Sequence, residues 1–513
     1  MENVDVVVVG GGHNGLTAAS YLAKSGLTVT VLESLEYLGG AATSSFTFEN
    51  VNAKLSRYSY LVSLLPHQII DDLGLEISLA PRRYSSYTPL PGSDQGLLVD
   101  RVDPENTRAS FAKLGAEGDF ASWNAFYQRT ERLAQQLFPT VLEPLRNRSQ
   151  VKAMVGADFE TFFERPIGEE IETLFQSDLV RGVVMTDALI GTFAGNRDEN
   201  LDANKCFLYH VIGGGTGDWN IPVGGMGSVS GSMANAARRF GATLKTGCTV
   251  TSISKSKEVF YTEAGEQKSV RGRFVLSGVS QTTLANLTGE FAPERVQGAQ
   301  LKVNMLLKRL PALKDTGLSR EAAFGGTFHI NEGFQQLQAG FDRAQSGEIP
   351  DPLPCEIYCH SLTDPSILGP ELRAEGAQTL TVFALHMPHS LLDSYTNEEL
   401  RELGEQAVLR SINSVLAEPI EDLIYLAPDG SRCIETKTTK DLEDALGLPG
   451  GNIFHSPLSW PFVEDDADLS TPAKRWGVDT GIPGIFYCGS SARRGGAVSG
   501  IAGHNAAMAV LES

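Results

Sequence analysis

The sequence predicts an α/β protein of two domains, in which a parallel-sheet domain is assembled from separated stretches of chain and a second domain fills the intervals. Three observations predict it. Residues 6–34 read as strand, glycine turn, helix and strand; residues 221–253 form a second segment rich in glycine and small residues; and residues 485–511 run from a short strand through a glycine loop into a small-residue helix. At 513 residues the chain exceeds what one hydrophobic core usually serves. Its 42% apolar and 20% charged residues are ordinary globular composition. The 62 acidic against 42 basic residues give a formal charge of −20, a field that repels nucleic acid. No run reaches the ~20 apolar residues of a membrane-spanning helix, so any membrane contact is expected to be peripheral. The first strand begins by Val4 and leaves no room for a leader peptide, and the six cysteines are scattered as reduced thiols would be. A cytoplasmic location is the expectation.

"DVVVVG" (5–10) is a short β-branched run of the kind buried on both faces of a parallel sheet. "HNGLTAASYLAKSG" (13–26) has helical composition and closes on Gly26, and "LTVTVLE" (27–33) returns as a strand. Within this βαβ context Gly10, Gly12 and Gly15 supply G-x-G-x-x-G, with His13 and Asn14 inside the turn. The first glycine permits the turn, the second lets backbone approach a pyrophosphate, and the third allows close helix–strand packing. The phosphate then lies on a helix N-terminus, where free N–H groups favour negative charge. Glu33, with Ser34 beside it, ends the second strand, where a carboxylate accepts hydrogen bonds from ribose hydroxyls and repels a 2′-phosphate. This is a Rossmann-like unit for FAD or NAD rather than NADP.

FAD is preferred because of two further glycine clusters. "LEYLGGAATSSF" (35–46) adds Gly40, Ala41 and Ala42 after the second strand, which a plain NAD domain does not need. "GIFYCGSSARRGGAVSGIAGHNAAMAVLE" (484–512) adds Gly489, Ser490, Gly496, Ala497 and Val498, with a helix start near residues 498–501 suited to the carbonyl edge of a reduced flavin. Loops at both ends of the chain imply one extended cofactor.

The amino-terminal motif, "IPVGGMGSVSGSMANAARRFGATLKTGCTVTSI" (221–253) and the terminal "FYCGS…GGAVSGIAGHNAA" resemble the phytoene-dehydrogenase-like FAD-dependent oxidoreductases, in the branch of pyridine nucleotide-disulfide oxidoreductase domain-containing proteins. "SRYSYLVSLLP", "KVNMLLKRLP", "GTFHI" and "GGNIFHSPLSW" extend the likeness over most of the chain. The resemblance implies a two-domain flavoprotein with FAD bound non-covalently and redox chemistry at a C–C or C–N bond. It places the FAD domain at residues 1–90, 221–290 and 450–513, Val250 among its cofactor-binding positions, and the substrate domain at 91–220 and 291–449. Two departures stand out: Ala41 replaces an arginine common in relatives, and Arg494-Gly495-Gly496-Ala497 replaces a Pro-Gly-Gly-Gly loop. Loss of that arginine argues against carotenoid desaturation in particular and leaves FAD binding in place.

The middle of the chain carries Phe111, Phe120, Trp123, Phe126, Tyr127, Leu133, Leu137 and Phe138 at helical spacing, a pattern read as core. "VIGGGTGDWNIP" (211–222) lacks a following helix and reads as a close backbone approach rather than a second nucleotide loop. Without a nicotinamide domain, electrons are expected to pass to oxygen, a quinone or another acceptor. A disulfide reductase would need an early dithiol, and the first cysteine is Cys206. "CEIYCH" (355–360) reads as a strand without a second ligand cluster, so no metal is expected. Of nine histidines, His455 in "NIFHSPLSW" is the candidate to orient substrate or move a proton. Trp460 is taken as a pocket wall, and Tyr60 as a residue lining the flavin. The function expected is oxidation of a small, largely apolar substrate; the alternative is an FAD-binding protein with little turnover that acts through protein interaction.

Overall fold

The computed structural model describes residues 2–294 and 296–513. Its first sheet is parallel in the order Thr243–Lys245, Val29–Leu32, Glu2–Val9, Glu266–Ser277, Ile485–Tyr487. Val6 pairs with Val29 on one side and with Phe274 on the other, so the four-valine run lies between two partners. Val6 and Val8 pack on the face covered by the helices His13–Lys24, Met226–Arg239 and Ile501–Leu511. Val7 and Val9 pack on the opposite face with Leu32, Cys248 and Ile253. Both faces are therefore apolar, which is why the strand does not alternate. The long Glu266–Ser277 strand continues into an antiparallel meander with Glu258–Glu263 and Cys248–Ile253.

A second, mixed sheet of seven strands runs Ile434–Lys437, Leu301–Leu307, Gln378–Ala384, Cys355–Tyr358, Thr327–Ile330, Tyr84–Pro89, Gly96–Asp100. Tyr84–Pro89 lies inside the stretch assigned to the cofactor half, yet its partners are Gly96–Asp100 and Thr327–Ile330 in this second sheet. A helical layer from Pro104 to Val211 completes the second half. The aromatic stripe is its core: Phe111, Trp123, Phe126, Leu133 and Leu137 are buried, and Phe120, Tyr127 and Phe138 pack against them. The glycines at 213–215 form a kinked turn with Gly214 at φ +62°, and a Cβ on Gly213 would collide with both the side chain and the backbone of Ser63, so the loop packs closely on that segment. No helix among the described residues is long and apolar enough to cross a membrane.

Candidate active site

A cleft of about 500 Å³ runs from the N-terminal glycine turn to the second sheet and the helical layer. At its first end the chain contributes backbone. Gly10 has φ +99°, a conformation that L side chains avoid, and a Cβ on Gly15 would sit 2.4 Å from the Gly10 carbonyl oxygen. A Cβ on Gly12 would meet nothing, because it would project into the open cleft. Gly12 also caps the helix His13–Lys24, whose first turn carries neither an acidic residue nor a capping side chain. The helix therefore presents free N–H groups and its positive dipole end to whatever occupies the cleft. The Gly40 Cβ position lies 3.2 Å from Gly12 Cα, which brings the second glycine pair onto the first turn.

Glu33 is buried at the rim of this turn. Its Oε2 accepts from the Gly11 N–H at 2.7 Å, and its Oε1 accepts from the Leu35 N–H at 2.9 Å and the Ser34 hydroxyl at 3.2 Å. A carboxylate offers about four acceptor sites, so one remains for a ligand hydroxyl. Asn14 Oδ1, buried on the cleft wall, has no donor. The residues present fit FAD: a cradle without side chains for a pyrophosphate, an acceptor for a ribose and an orphaned acceptor between them.

The terminal segment closes the same cleft from the other side. A Cβ on Gly503 would overlap the Asn14 carbonyl, so the last helix packs directly on the first. Between them, Nε2 of His13 donates to the Ala497 carbonyl at 3.1 Å. Ala497 (φ +62°), Arg494 (+65°) and His455 (+64°) all hold left-handed backbone, a concentration of strain that marks functional loops. Arg494, the departure from Pro in the glycine loop, is buried and donates to the carbonyls of Thr140, Glu143 and Trp476. Its guanidinium anchors the loop to the helical layer rather than facing the cofactor.

A protein of Mycobacterium tuberculosis with no assigned function is 52% identical over 99% of this chain and 97% of its own length. Rat pyridine nucleotide-disulfide oxidoreductase domain-containing protein 2 is 30% identical, over 99% of this chain and 93% of its own. The chain belongs to that protein's family, within the phytoene-dehydrogenase-like oxidoreductases. Residues 8–67 match the model of an NAD(P)-binding Rossmann-like domain. The fold is shared with a putrescine oxidase variant, at a TM-score of 0.56, 15% identity and 99% coverage of both chains.

In this oxidoreductase the cleft is lined by Gly10, Gly12, His13, Asn14, Gly15, Glu33, Ser34, Gly40, Ala41, Tyr60, Val250, His455, Gly489, Ser490, Gly496, Ala497 and Val498. Ala42 stands behind it, buried, with its carbonyl accepting from the Ser230 hydroxyl at 2.6 Å. Trp460 does not line the cleft. The strand Phe462–Val463 pairs with Arg146–Asn147 and draws this stretch toward the helical layer, where Trp460 stacks on Phe462 and meets Phe163 edge-on. His455 does reach the cleft; its Nδ1 is buried without a partner, and burial, reinforced by His13, lowers its pKa to about 4. The imidazole is neutral at physiological pH, and a pKa this far below 7 makes it a weak base as it stands.

At the opposite end Tyr60 is joined by residues that the sequence reading passed over. Tyr60 stacks parallel on Trp219 at 5.8 Å and packs on Tyr358 and Phe383, making an aromatic wall. His210 lies under Trp219, donates from Nδ1 to the Cys206 carbonyl at 3.1 Å, and is held neutral by burial, with a pKa near 4. Behind the wall, the Lys302 ammonium donates to the Ser56 and Ser59 carbonyls at 2.8 and 3.0 Å and lies over the Phe383 ring; burial lowers its pKa to about 7. These residues come from five separate elements. Only Trp219, a tryptophan in a glycine loop, carried a local signal.

Proposed function

We propose that this chain is an FAD-dependent oxidoreductase that removes hydride from a C–C or C–N bond of a small, largely apolar substrate and passes the electrons to oxygen or a quinone. The observation that carries the reading is the continuity of the cleft, which joins the glycine turn and Glu33 to the aromatic wall of Tyr60, Trp219 and Phe383. When bound, FAD supplies the hydride acceptor. The chain's own residues do the rest. The helix N-terminus at His13 and the glycine turn hold the phosphates, Glu33 fixes the ribose, and the aromatic wall orients an apolar substrate and excludes water. His455 brings a buried unpartnered nitrogen to the cleft and takes the proton that accompanies oxidation, which requires the bound substrate and cofactor to lift its pKa from about 4.

The test is anaerobic stopped-flow reduction of the purified yellow protein with a panel of hydrophobic amines and of hydrocarbons with an allylic C–H. Bleaching by at least one class, followed by reoxidation with oxygen or a quinone, is expected. If no panel member bleaches the flavin, the reading as a substrate oxidase fails. NADH and NADPH should reduce the flavin slowly or not at all; reduction faster than about one per second, an ordinary turnover number, would overturn the choice of acceptor and substrate class.

A further inference from the structure

Behind the aromatic wall, outside the cleft, three ligand-bearing side chains converge in the interior. His329 and Glu356 are directly opposite one another on the paired strands Thr327–Ile330 and Cys355–Tyr358. Asn331, in left-handed backbone at φ +59°, turns the chain so that Glu332 comes back onto the same spot. One ligand atom from each of His329, Glu332 and Glu356 lies within 4.8 Å of the others. All three residues are buried, Glu332 at 1% exposure.

The hydrogen bonds leave this cluster incomplete. Glu356 accepts from Thr186, whose hydroxyl donates to Oε1 at 3.0 Å, and from Tyr358, whose hydroxyl donates to Oε2 at 2.6 Å, which leaves a lone pair free on each oxygen. Glu332 accepts from His329 Nδ1 through Oε2 at 2.6 Å, but its Oε1 has no donor. The single Thr186 proton is committed to Glu356, so it cannot serve Glu332 as well. The groups facing the cluster do not supply the missing charge. Asp187 and Arg82, both partly buried beside it, offset one another, and Tyr60 and Tyr358 are neutral phenols. Two carboxylates thus remain in a medium where uncompensated charge is expensive.

We propose that His329, Glu332 and Glu356 bind one divalent cation of the class that accepts mixed nitrogen and oxygen ligands, zinc or manganese. One such ion cancels two carboxylates and satisfies Glu332 Oε1 directly. Tetrahedral ligands at about 2.1 Å from an ion are about 3.4 Å apart; His329 Nδ1 lies 2.6 Å from Glu332 Oε2 and 3.8 Å from Glu356 Oε1, so small side-chain shifts, with release of the proton now shared by His329 and Glu332, close the three on one ion. An imidazole with two carboxylates suits these metals rather than calcium or copper(I). Because Glu356 is also bonded to Thr186, the ion would tie two strands of the second sheet to the helical layer.

The experiment is elemental analysis of the holoprotein, as purified and after dialysis against zinc or manganese at pH 8 followed by gel filtration. One equivalent per chain is expected. Glu332→Gln and Glu356→Gln should each lower metal affinity at least ~10-fold while retaining flavin and near-UV circular dichroism. If either variant fails to fold, X-ray absorption of the zinc-loaded wild type decides: a nitrogen–oxygen shell that includes one imidazole supports the site, and a shell containing sulfur places the metal on cysteines and overturns it. Less than ~0.1 equivalent after loading, or uptake unchanged in both folded variants, also overturns the proposal and leaves the cluster holding protons instead.

Discussion

The two ends of the cleft are built by different means. At the phosphate end nearly every contact surface is backbone: Gly10, Gly12, Gly15 and Gly40, with Glu33 as the principal polar side chain. At the aromatic end nearly every contact surface is a side chain, and Tyr60, His210, Trp219 and Phe383 arrive from positions up to 323 residues apart. The first end has little freedom to vary, because a methyl group is too large at Gly15 and the backbone at Gly10 and Gly40 is left-handed. The second is made of side chains, where one ring can be exchanged for another without moving the backbone.

The largest effect that separates the ends is expected at Gly15. Gly15→Ala places a Cβ 2.4 Å from a backbone oxygen that cannot swing away, so the protein should lose FAD or fail to fold; flavin content and circular dichroism of the purified variant read this, and a normal yellow protein would contradict it. His455→Ala should slow flavin reduction by ~10²-fold while FAD affinity and spectrum stay unchanged. Stopped-flow traces with a reducing substrate measure it, and an unaltered rate removes His455 from proton transfer. Glu33→Ala should weaken FAD binding by about 1–3 kcal/mol, the loss of hydrogen bonds to a charged acceptor. Titration of apoprotein with FAD gives the dissociation constant, and no change would show that the ribose is held elsewhere.

The smallest effect is a slope. Lys302 titrates at about 7 in the folded protein against 10.5 for an ordinary lysine. Between those values the unfolded chain binds the extra proton, so folded stability rises with pH across this window, and below pH 7 the full cost of burying the ammonium is carried. Lys302→Met should flatten the pH dependence of the urea midpoint between pH 7 and 9 relative to wild type. Parallel slopes would show that the lysine is solvated.

How much could be read beforehand follows the same division. The βαβ unit, the glycine spacing, Glu33 and the terminal loop were legible because each is set by neighbours within about thirty residues and by backbone rules that only glycine satisfies. Tyr60 and His455 were picked out, yet their companions were not. Trp219, His210 and Lys302 meet only after two sheets and a helical layer have packed, and no periodicity announces such a meeting. Trp460 shows the reverse error: nearness to His455 in sequence suggested the cleft, but pairing of Phe462–Val463 with Arg146–Asn147 pulls it into the helical core. Likewise "CEIYCH" was read for its cysteines, whereas the residue that converges with other potential ligands is the glutamate between them.

The contact of Gly503 with Asn14 also sets a schedule. The phosphate turn leaves the ribosome well before the wall that closes over it, since Gly503 lies 489 residues after Asn14. At ~5–20 residues per second, the interval between Asn14 and Gly503 is on the order of 25–100 s. Throughout that time the first βαβ unit exposes the face of Thr17, Ala18 and Tyr21 that the last helix will cover. Because the segment around residues 489–503 forms one wall of the cleft, firm loading of the cofactor is expected only after that segment has been made, and chaperone occupancy of the segment that carries the first βαβ unit should persist until residue 503 has cleared the exit tunnel.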